Sequence, residues 1–214
     1  YAAASYLRTW VVVDTNFVDR FSNNLTAESV AEILREYKVV RNFKKRVPEE
    51  GDERFQAFAD VLIRQKASLR SLNQLNAVEI VTNINKDIVP YYQAEKHKNF
   101  VSAASKTAWM LCRDPVAIYD SLACGALRGL KYKFTTGDYE SYYVAWSNFY
   151  KDKEVSIEAA AKWVASSDYA SRLAAHGVAT LRSIQEWSNQ AWFKNRICDQ
   201  RLVWLGSGDN LPLA

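Results

Sequence analysis

The stretch that decides the fold is "SAASKTAWMLCRDPVAIYDSLACGALRGL", residues 102–130. Its alanine-rich first part predicts a helix over residues 102–112, because alanine has the highest helix propensity. Pro115 ends that helix, since proline disfavours helical backbone in the residue before it. Asp120 and the serine after it are favoured at helix N-termini, so a second helix is predicted over residues 121–130. The stretch therefore predicts two helices joined by a short turn.

The composition extends the helical prediction to the whole chain. Its 214 residues include only seven glycines and four prolines, which favours long helices over a turn-rich β architecture. Apolar residues make up 49% and charged residues 24%, as in an ordinary globular protein. Thr26 is a candidate N-cap, and apolar residues follow it at helical spacing: Val30, Ile33, Leu34 and Tyr37. We predict a single mainly α-helical domain over residues 1–214; the family resemblance given below implies a helix-hairpin-helix-like core at about residues 71–130.

The charge balance permits a polyanionic partner without requiring one. The formal net charge is +4 and the pI is about 8.9. Basic residues cluster in three places: Arg41, Lys44, Lys45 and Arg46; Lys96, His97 and Lys98; and Arg128, Lys131 and Lys133. Such clusters are more often solvated faces than binding sites, so charge alone does not identify the partner.

The cysteines and the hydropathy indicate a reducing, aqueous compartment. The three cysteines are widely spaced and include no CxxC pair, so neither a disulfide framework nor a zinc site is predicted. No apolar run approaches the roughly 18 residues of a membrane span. The first residues lack the pattern of a signal peptide. We therefore expect a cytoplasmic monomer that has no membrane partner.

Two short motifs resemble the signature of the helix-hairpin-helix DNA glycosylase superfamily. "SKTA" at 105–108 is similar to the end of the Gly-x-Gly-x-Lys-x-Ala pattern that begins a helix after the hairpin in lysine-bearing members. "IYDS" at 118–121 is similar to the hydrophobic–hydrophobic–Asp step that opens a further helix. Residues 102–104 are Ser-Ala-Ala where the family has hairpin glycines, and the absence of a four-cysteine pattern excludes the iron–sulfur branch. The resemblance implies a helical DNA glycosylase-like domain with a degenerate helix-hairpin-helix.

The resemblance also implies catalytic roles for Asp120 and Lys106. When a base leaves DNA, the sugar becomes oxocarbenium-like, and a nearby carboxylate such as Asp120 stabilises the developing positive charge. Lys106 would attack the sugar and form a Schiff base if desolvation lowers its pKa, and the enzyme would then also nick the strand. If Lys106 stays protonated, water attacks and an abasic site is the product. Simpler roles stay open: Asp120 as a helix N-cap, and Lys106 as a surface or phosphate-contacting lysine.

A glycosylase must also grip DNA and extrude the target base into a pocket. Because backbone amides at a helix N-terminus hold phosphate, the predicted DNA contacts combine such amides with basic side chains: Lys98, Ser102, Ser105, Arg128 and Lys131. The predicted base pocket is formed by aromatic side chains that have core packing as their alternative role: Trp109, Tyr143 and Trp146. Neither a metal nor another cofactor is expected. Resemblance to defence-type glycosylases implies hypermodified phage bases as one candidate substrate.

The sequence is also compatible with two other functions. "WVVVDTNFV" at 10–18 predicts either a short buried strand or the apolar start of a helix. As a strand it looks like the opening of a PIN-type nuclease, in which Asp14 would bind Mg²⁺. Such a site needs further carboxylates at strand ends, whereas the available ones fall on predicted helices: Glu28, Glu32, Glu36 and Asp60. The third hypothesis is a non-catalytic helical domain that binds nucleic acid or protein.

Overall fold

The computed structural model describes residues 1–40, 43, 51–70, 77–92, 100–175 and 179–208. Over those ranges the chain forms α-helices joined by short 3-10 turns and loops, and no β-strand element occurs among them. The prediction of a mainly α-helical fold is therefore confirmed. Among the described helices, none combines the length and the apolar character that a membrane crossing requires.

The helices are α1 (Ala2–Thr9), α2 (Thr15–Asn23), α3 (Ala27–Glu36), α4 (Gln56–Arg70), α5 (Ala77–Ile88), α6 (Val101–Leu111), α7 (Ser121–Gly129), α8 (Tyr139–Ser166), α9 (Asp168–Ala175), α10 (Leu181–Ser188) and α11 (Ala191–Ser207). A π-helical turn connects α1 to α2, and 3-10 turns precede α4 and follow α5: Trp10–Asp14, Gly51–Phe55 and Val89–Tyr91. The helices predicted over 102–112 and 121–130 are confirmed as α6 and α7.

The chain divides into two compact units. The first unit comprises Tyr1–Thr15, Asp120–Thr135 and Ser141–Ala214, and the second comprises Asn16–Tyr119 and Thr136–Glu140. The core predicted at about residues 71–130 thus includes α5 and α6 of the second unit and α7 of the first. Residues 71–76 and 93–99 of that predicted core lie outside the described ranges.

The second unit is built on α3, α4, α5 and α6, which pack against one another. Thr26 caps α3 as predicted: its backbone N–H donates to Ser29 Oγ at 2.8 Å, and its Oγ1 accepts from Ser29 N at 3.2 Å. The two bonds satisfy donors that the first turn of a helix leaves open. Aromatic rings fill the interior around Phe43, which stacks on Phe58 and Phe100 with centroids 5.5 and 4.7 Å apart.

The first unit packs α11 against both α1 and α7. Its interior holds a buried polar network among aromatic rings. Asp199 accepts from Trp146 Nε1 at 2.8 Å and from Arg196 Nη1 at 3.0 Å. The Arg196 guanidinium also lies over the Tyr6 ring, 5.1 Å from its centroid. Because the ion pair and the indole share one carboxylate, this network joins α8 to α11.

The structure decides between the two alternatives predicted for residues 10–18. The strand alternative for residues 10–18 is wrong, since the chain there is helical, with Trp10, Val11 and Asp14 buried and Val12 exposed. An apolar run this short fits a buried strand and a buried helix equally well by periodicity. The aromatic segment from Tyr139 and the alanine-rich segment after it form one helix, α8.

Candidate functional site

The helix α6 is buried on every side. Its residues from Ala103 to Met110 are all buried, and eight consecutive buried positions leave no solvent-facing side on a helix with 3.6 residues per turn. Lys106 is among them, with only 3% of its surface exposed. Lysine is among the residues that are almost never fully buried unless they are paired. Burial of this ammonium group therefore requires partners that replace its hydration.

Lys106 lies against an aromatic ring from α3. Its Nζ is 5.5 Å from the ring centroid of Tyr37, the half-buried residue at which α3 ends. A cation at this distance is attracted by the π-electron face, which replaces part of the lost hydration. Ionisable groups placed in such surroundings are candidates for function, because burial is how proteins tune a nucleophilic amine. Sequence reasoning did not identify Tyr37 as a neighbour of Lys106.

A buried hydrogen bond within the second unit joins α6 to the segment that ends at Tyr119. The Tyr119 backbone N–H donates to Ser105 Oγ at 3.0 Å, and the Ser105 hydroxyl donates to the Ser102 carbonyl at 3.2 Å. Ser105, which precedes Lys106, is thus hydrogen-bonded to Tyr119, which precedes Asp120. Ser105 is the fifth residue of α6 and fully buried. Its hydroxyl therefore has partners within the second unit, and the DNA contact predicted for Ser105 stays a prediction.

The segment leading to Asp120 is held at two further points. The Tyr119 hydroxyl accepts from the Gly137 backbone N–H at 2.9 Å, and the Tyr139 hydroxyl donates to the Ala117 carbonyl at 2.7 Å. Residues 116–119 are all buried. These bonds hold the segment 116–119 within the second unit.

Asp120 is the N-cap of α7. Its Oδ1 accepts from the Leu122 backbone N–H at 2.9 Å, and the residue is half-buried. The simpler role considered for Asp120 is therefore present in the structure. A capping role is compatible with a catalytic role, since the cap bond restricts the carboxylate to one orientation. Asp120 belongs to the first unit and Lys106 to the second.

The basic residues predicted to contact DNA are described only in part. Arg128 and Lys131 are exposed at the C-terminal end of α7, and the Arg128 guanidinium lies 4.7 Å from the Phe134 ring centroid. Ser102 is half-buried in the first turn of α6, where backbone N–H groups lack helical partners. Lys98 lies outside the described residues, as do the remaining members of the other two basic clusters: Arg41, Lys44, Lys45, Arg46, Lys96 and His97.

The residues predicted to form a base pocket are divided between the two units, and the pocket stays a prediction. Trp109 is fully buried in the second unit. Tyr143 and Trp146 stack on each other in the first unit, with centroids 6.0 Å apart and planes 24° apart. Trp146 is buried and its Nε1 donates to Asp199, so it contributes to the core of the first unit. Tyr143 is half-buried and is the only one of the three with substantial exposed surface.

The PIN-type nuclease hypothesis requires a strand before Asp14, and the chain there is helical. Asp14 is fully buried and ends the π-helical turn instead of following a strand. Within the described part of the chain, no group of three or more His, Cys, Asp or Glu side chains is placed to hold a metal ion. The convergence of carboxylates that this hypothesis needs is therefore not seen in those residues.

The loop after α7 is tied to α8 by a hydrogen bond that changes a pKa. The Tyr132 hydroxyl donates to Asp152, and this bond, with smaller contributions from burial and the Asp152 charge, raises the pKa of Tyr132 to about 12. A raised pKa means that the bond stabilises the fold fully below pH 10, the ordinary pKa of tyrosine, and is lost as the pH rises through about 12. The same bond anchors the segment that carries Lys131.

We expect Asp152→Ala to lower the pKa of Tyr132 towards that of an ordinary tyrosine, because the acceptor of the hydroxyl proton is removed. The near-ultraviolet absorbance of phenolate, followed against pH in the variant and the parent, measures this change. The difference between the two curves should correspond to one tyrosine that ionises at lower pH in the variant. Superimposable curves would show that the bond does not control Tyr132.

The chain matches no protein-family model, no curated protein and no solved structure. Its function must therefore be argued from the residues and their geometry.

Proposed function

We propose that this protein is a DNA glycosylase that cleaves the N-glycosidic bond of a modified base, with Asp120 and Lys106 as its catalytic residues. The observation that carries the proposal is the burial of Lys106 in α6, at the lysine position of the glycosylase-like motif. A buried ammonium group is costly, and a catalytic amine is a reason for a protein to keep one.

Asp120 would stabilise the charge that develops on the sugar. As the bond from C1′ to the base breaks, the ring oxygen and C1′ share a positive charge, and a fixed carboxylate lowers the energy of that state. The cap bond to Leu122 N uses Oδ1 and restricts the side chain, so little reorganisation is needed during the reaction. This is the role that electrostatic preorganisation requires of a catalytic carboxylate.

Lys106 would act as the nucleophile, and because it is only 3% exposed, the reaction requires a movement that lets the sugar reach its Nζ. Burial disfavours the charged form of an amine, and the neutral amine is the form that attacks carbon. A bond forms from Nζ to C1′ as the bond from C1′ to the base breaks, and the base leaves with a proton. Opening of the sugar ring then gives a Schiff base. Loss of a C2′ proton eliminates the 3′ phosphate, so the strand is nicked.

The exposed end of α7 would hold the DNA backbone. A nine-residue helix is roughly 13 Å long, which places Arg128 and Lys131 about four base steps of 3.4 Å from its Asp120 end. Cations at that spacing would neutralise phosphates beside the reacting nucleotide. The target base would be extruded from the duplex, and Tyr143 supplies a half-buried ring on which it could stack. Hypermodified phage bases remain among the candidate substrates.

Base release without metal tests the proposal. The substrates are duplexes that each carry one damaged or modified base, together with DNA from phages that have hypermodified bases. The purified chain is incubated with them in EDTA, and free base is detected by mass spectrometry. We expect release of free base in EDTA. Strand cleavage that stops in EDTA would favour a metal-dependent nuclease, and DNA binding without chemical change would favour the non-catalytic domain.

A further inference from the structure

The backbones of α7 and α11 come into very close approach at Gly206. A Cβ atom at position 206 would lie 2.0 Å from the carbonyl oxygen of Leu122, 2.6 Å from its carbonyl carbon and 2.9 Å from its Cα. All three of these atoms belong to the backbone, so no side-chain rotation relieves the clash. Only glycine fits at this crossing, because real Cβ atoms essentially never approach within 3.0 Å.

Gly206 approaches Leu122, the residue whose backbone N–H is capped by Asp120. Leu122 is the second residue of α7, and its N–H is the donor that binds Asp120 Oδ1 at 2.9 Å. The peptide plane that Gly206 touches therefore lies in the same turn as the carboxylate, and all these residues belong to the first unit. A shift of that turn would move the proposed catalytic group with it.

We propose that Gly206 is a positioning residue for Asp120: the bare backbone of α11 sets the place of the first turn of α7. This inference rests on the proposed function, since it assigns Asp120 a position that the reaction needs. The required precision is high, because a 1 Å misplacement of a catalytic group can cost about 100-fold in rate. An approach of 2.0 Å is 1.0 Å inside the 3.0 Å limit, so a single methyl group forces a displacement of that size.

The test is Gly206→Ala, with Gly125→Ala as its matched control. Gly125 is an exposed glycine in the middle of α7, and a Cβ there meets no atom within 4 Å. Both variants add one methyl group to a helical glycine, which by propensity alone favours the helix. For Gly206→Ala we expect kcat of base release to fall about 10- to 100-fold with KM changed less than about twofold, and for Gly125→Ala neither to change.

Hydrogen exchange of the Leu122 amide gives a second readout that does not depend on activity. Its N–H should exchange about 2- to 30-fold faster in Gly206→Ala than in the parent, the factor that corresponds to loss of an N-cap bond. The control should leave it unchanged. If Gly206→Ala does not fold in buffer, all three proteins are measured in trimethylamine N-oxide, which favours the compact state.

The outcomes separate this inference from the proposed function. Loss of kcat together with faster Leu122 exchange supports it. Lowered thermal stability with unchanged kcat and unchanged exchange overturns it, since Gly206 would then be a packing residue alone. If the parent releases no base, the proposed function fails. Exchange of the Leu122 amide then still decides whether Gly206 fixes the first turn of α7. Unchanged exchange in Gly206→Ala would show that it does not.

Discussion

Asp120→Asn should reduce base release by about 100- to 1,000-fold, the effect of removing one group that stabilises developing charge. Asparagine caps helices as well as aspartate does, so the fold and the Leu122 hydrogen bond should survive while the negative charge is lost. The measurement is the rate constant of base release under single-turnover conditions. Circular dichroism checks the folding of the variant.

A matched control for this substitution is Asp138→Asn, which neutralises an exposed aspartate of the second unit. It should retain the rate of the parent. A normal rate in Asp120→Asn would restrict Asp120 to its role as a helix cap and would remove it from the mechanism. Equal losses in the two variants would mean that the loss does not depend on the position of Asp120.

Asp199→Ala should destabilise the chain by about 3–5 kcal/mol, because breaking a buried ion pair leaves an uncompensated charge. The side chains of Arg196 and Asp199 are only 8% and 3% exposed, and Trp146 donates to the same carboxylate. The substitution therefore removes the acceptor of two buried donors. Unfolding by guanidinium chloride, followed by circular dichroism and by tryptophan fluorescence, measures the loss of unfolding free energy.

An exposed ion pair provides the comparison. Arg182 and Glu186 also pair on a single helix, but their side chains are 87% and 59% exposed. Glu186→Ala should therefore change the free energy of unfolding by no more than about 1 kcal/mol. If Asp199→Ala cost as little as Glu186→Ala, the buried network that joins α8 to α11 would contribute little to stability.

Local signals in the sequence predicted much of the helical framework. Pro115 marked the end of α6 within a few residues, and Thr26 marked the start of α3. These features depend on residues that are close in the chain, and capping and proline chemistry act over a few residues. The ambiguity at residues 10–18 arose because a short apolar run has no period that separates a strand from a helix.

The surroundings of the site residues could not be predicted in the same way. Lys106 lies against Tyr37, and Trp146 donates to Asp199, a residue 53 positions later. Aromatic content suggested a base pocket, but only the fold shows that Trp146 is held by a buried carboxylate. The approach of Gly206 to Leu122 likewise joins two helices that are far apart in sequence, and one glycine carries no local signal of it.

Trapping with borohydride tests the central claim most directly, namely that the buried amine of Lys106 attacks the deoxyribose. Borohydride reduces a Schiff base to a stable amine, so protein and DNA become covalently joined in proportion to the intermediate. The parent and Lys153→Gln, which removes an exposed lysine of α8, should form the adduct equally, and peptide mass spectrometry should place it on Lys106. Lys106→Gln should form none while remaining folded. Base release from the parent without any adduct, or an equal adduct in Lys106→Gln, would contradict the account.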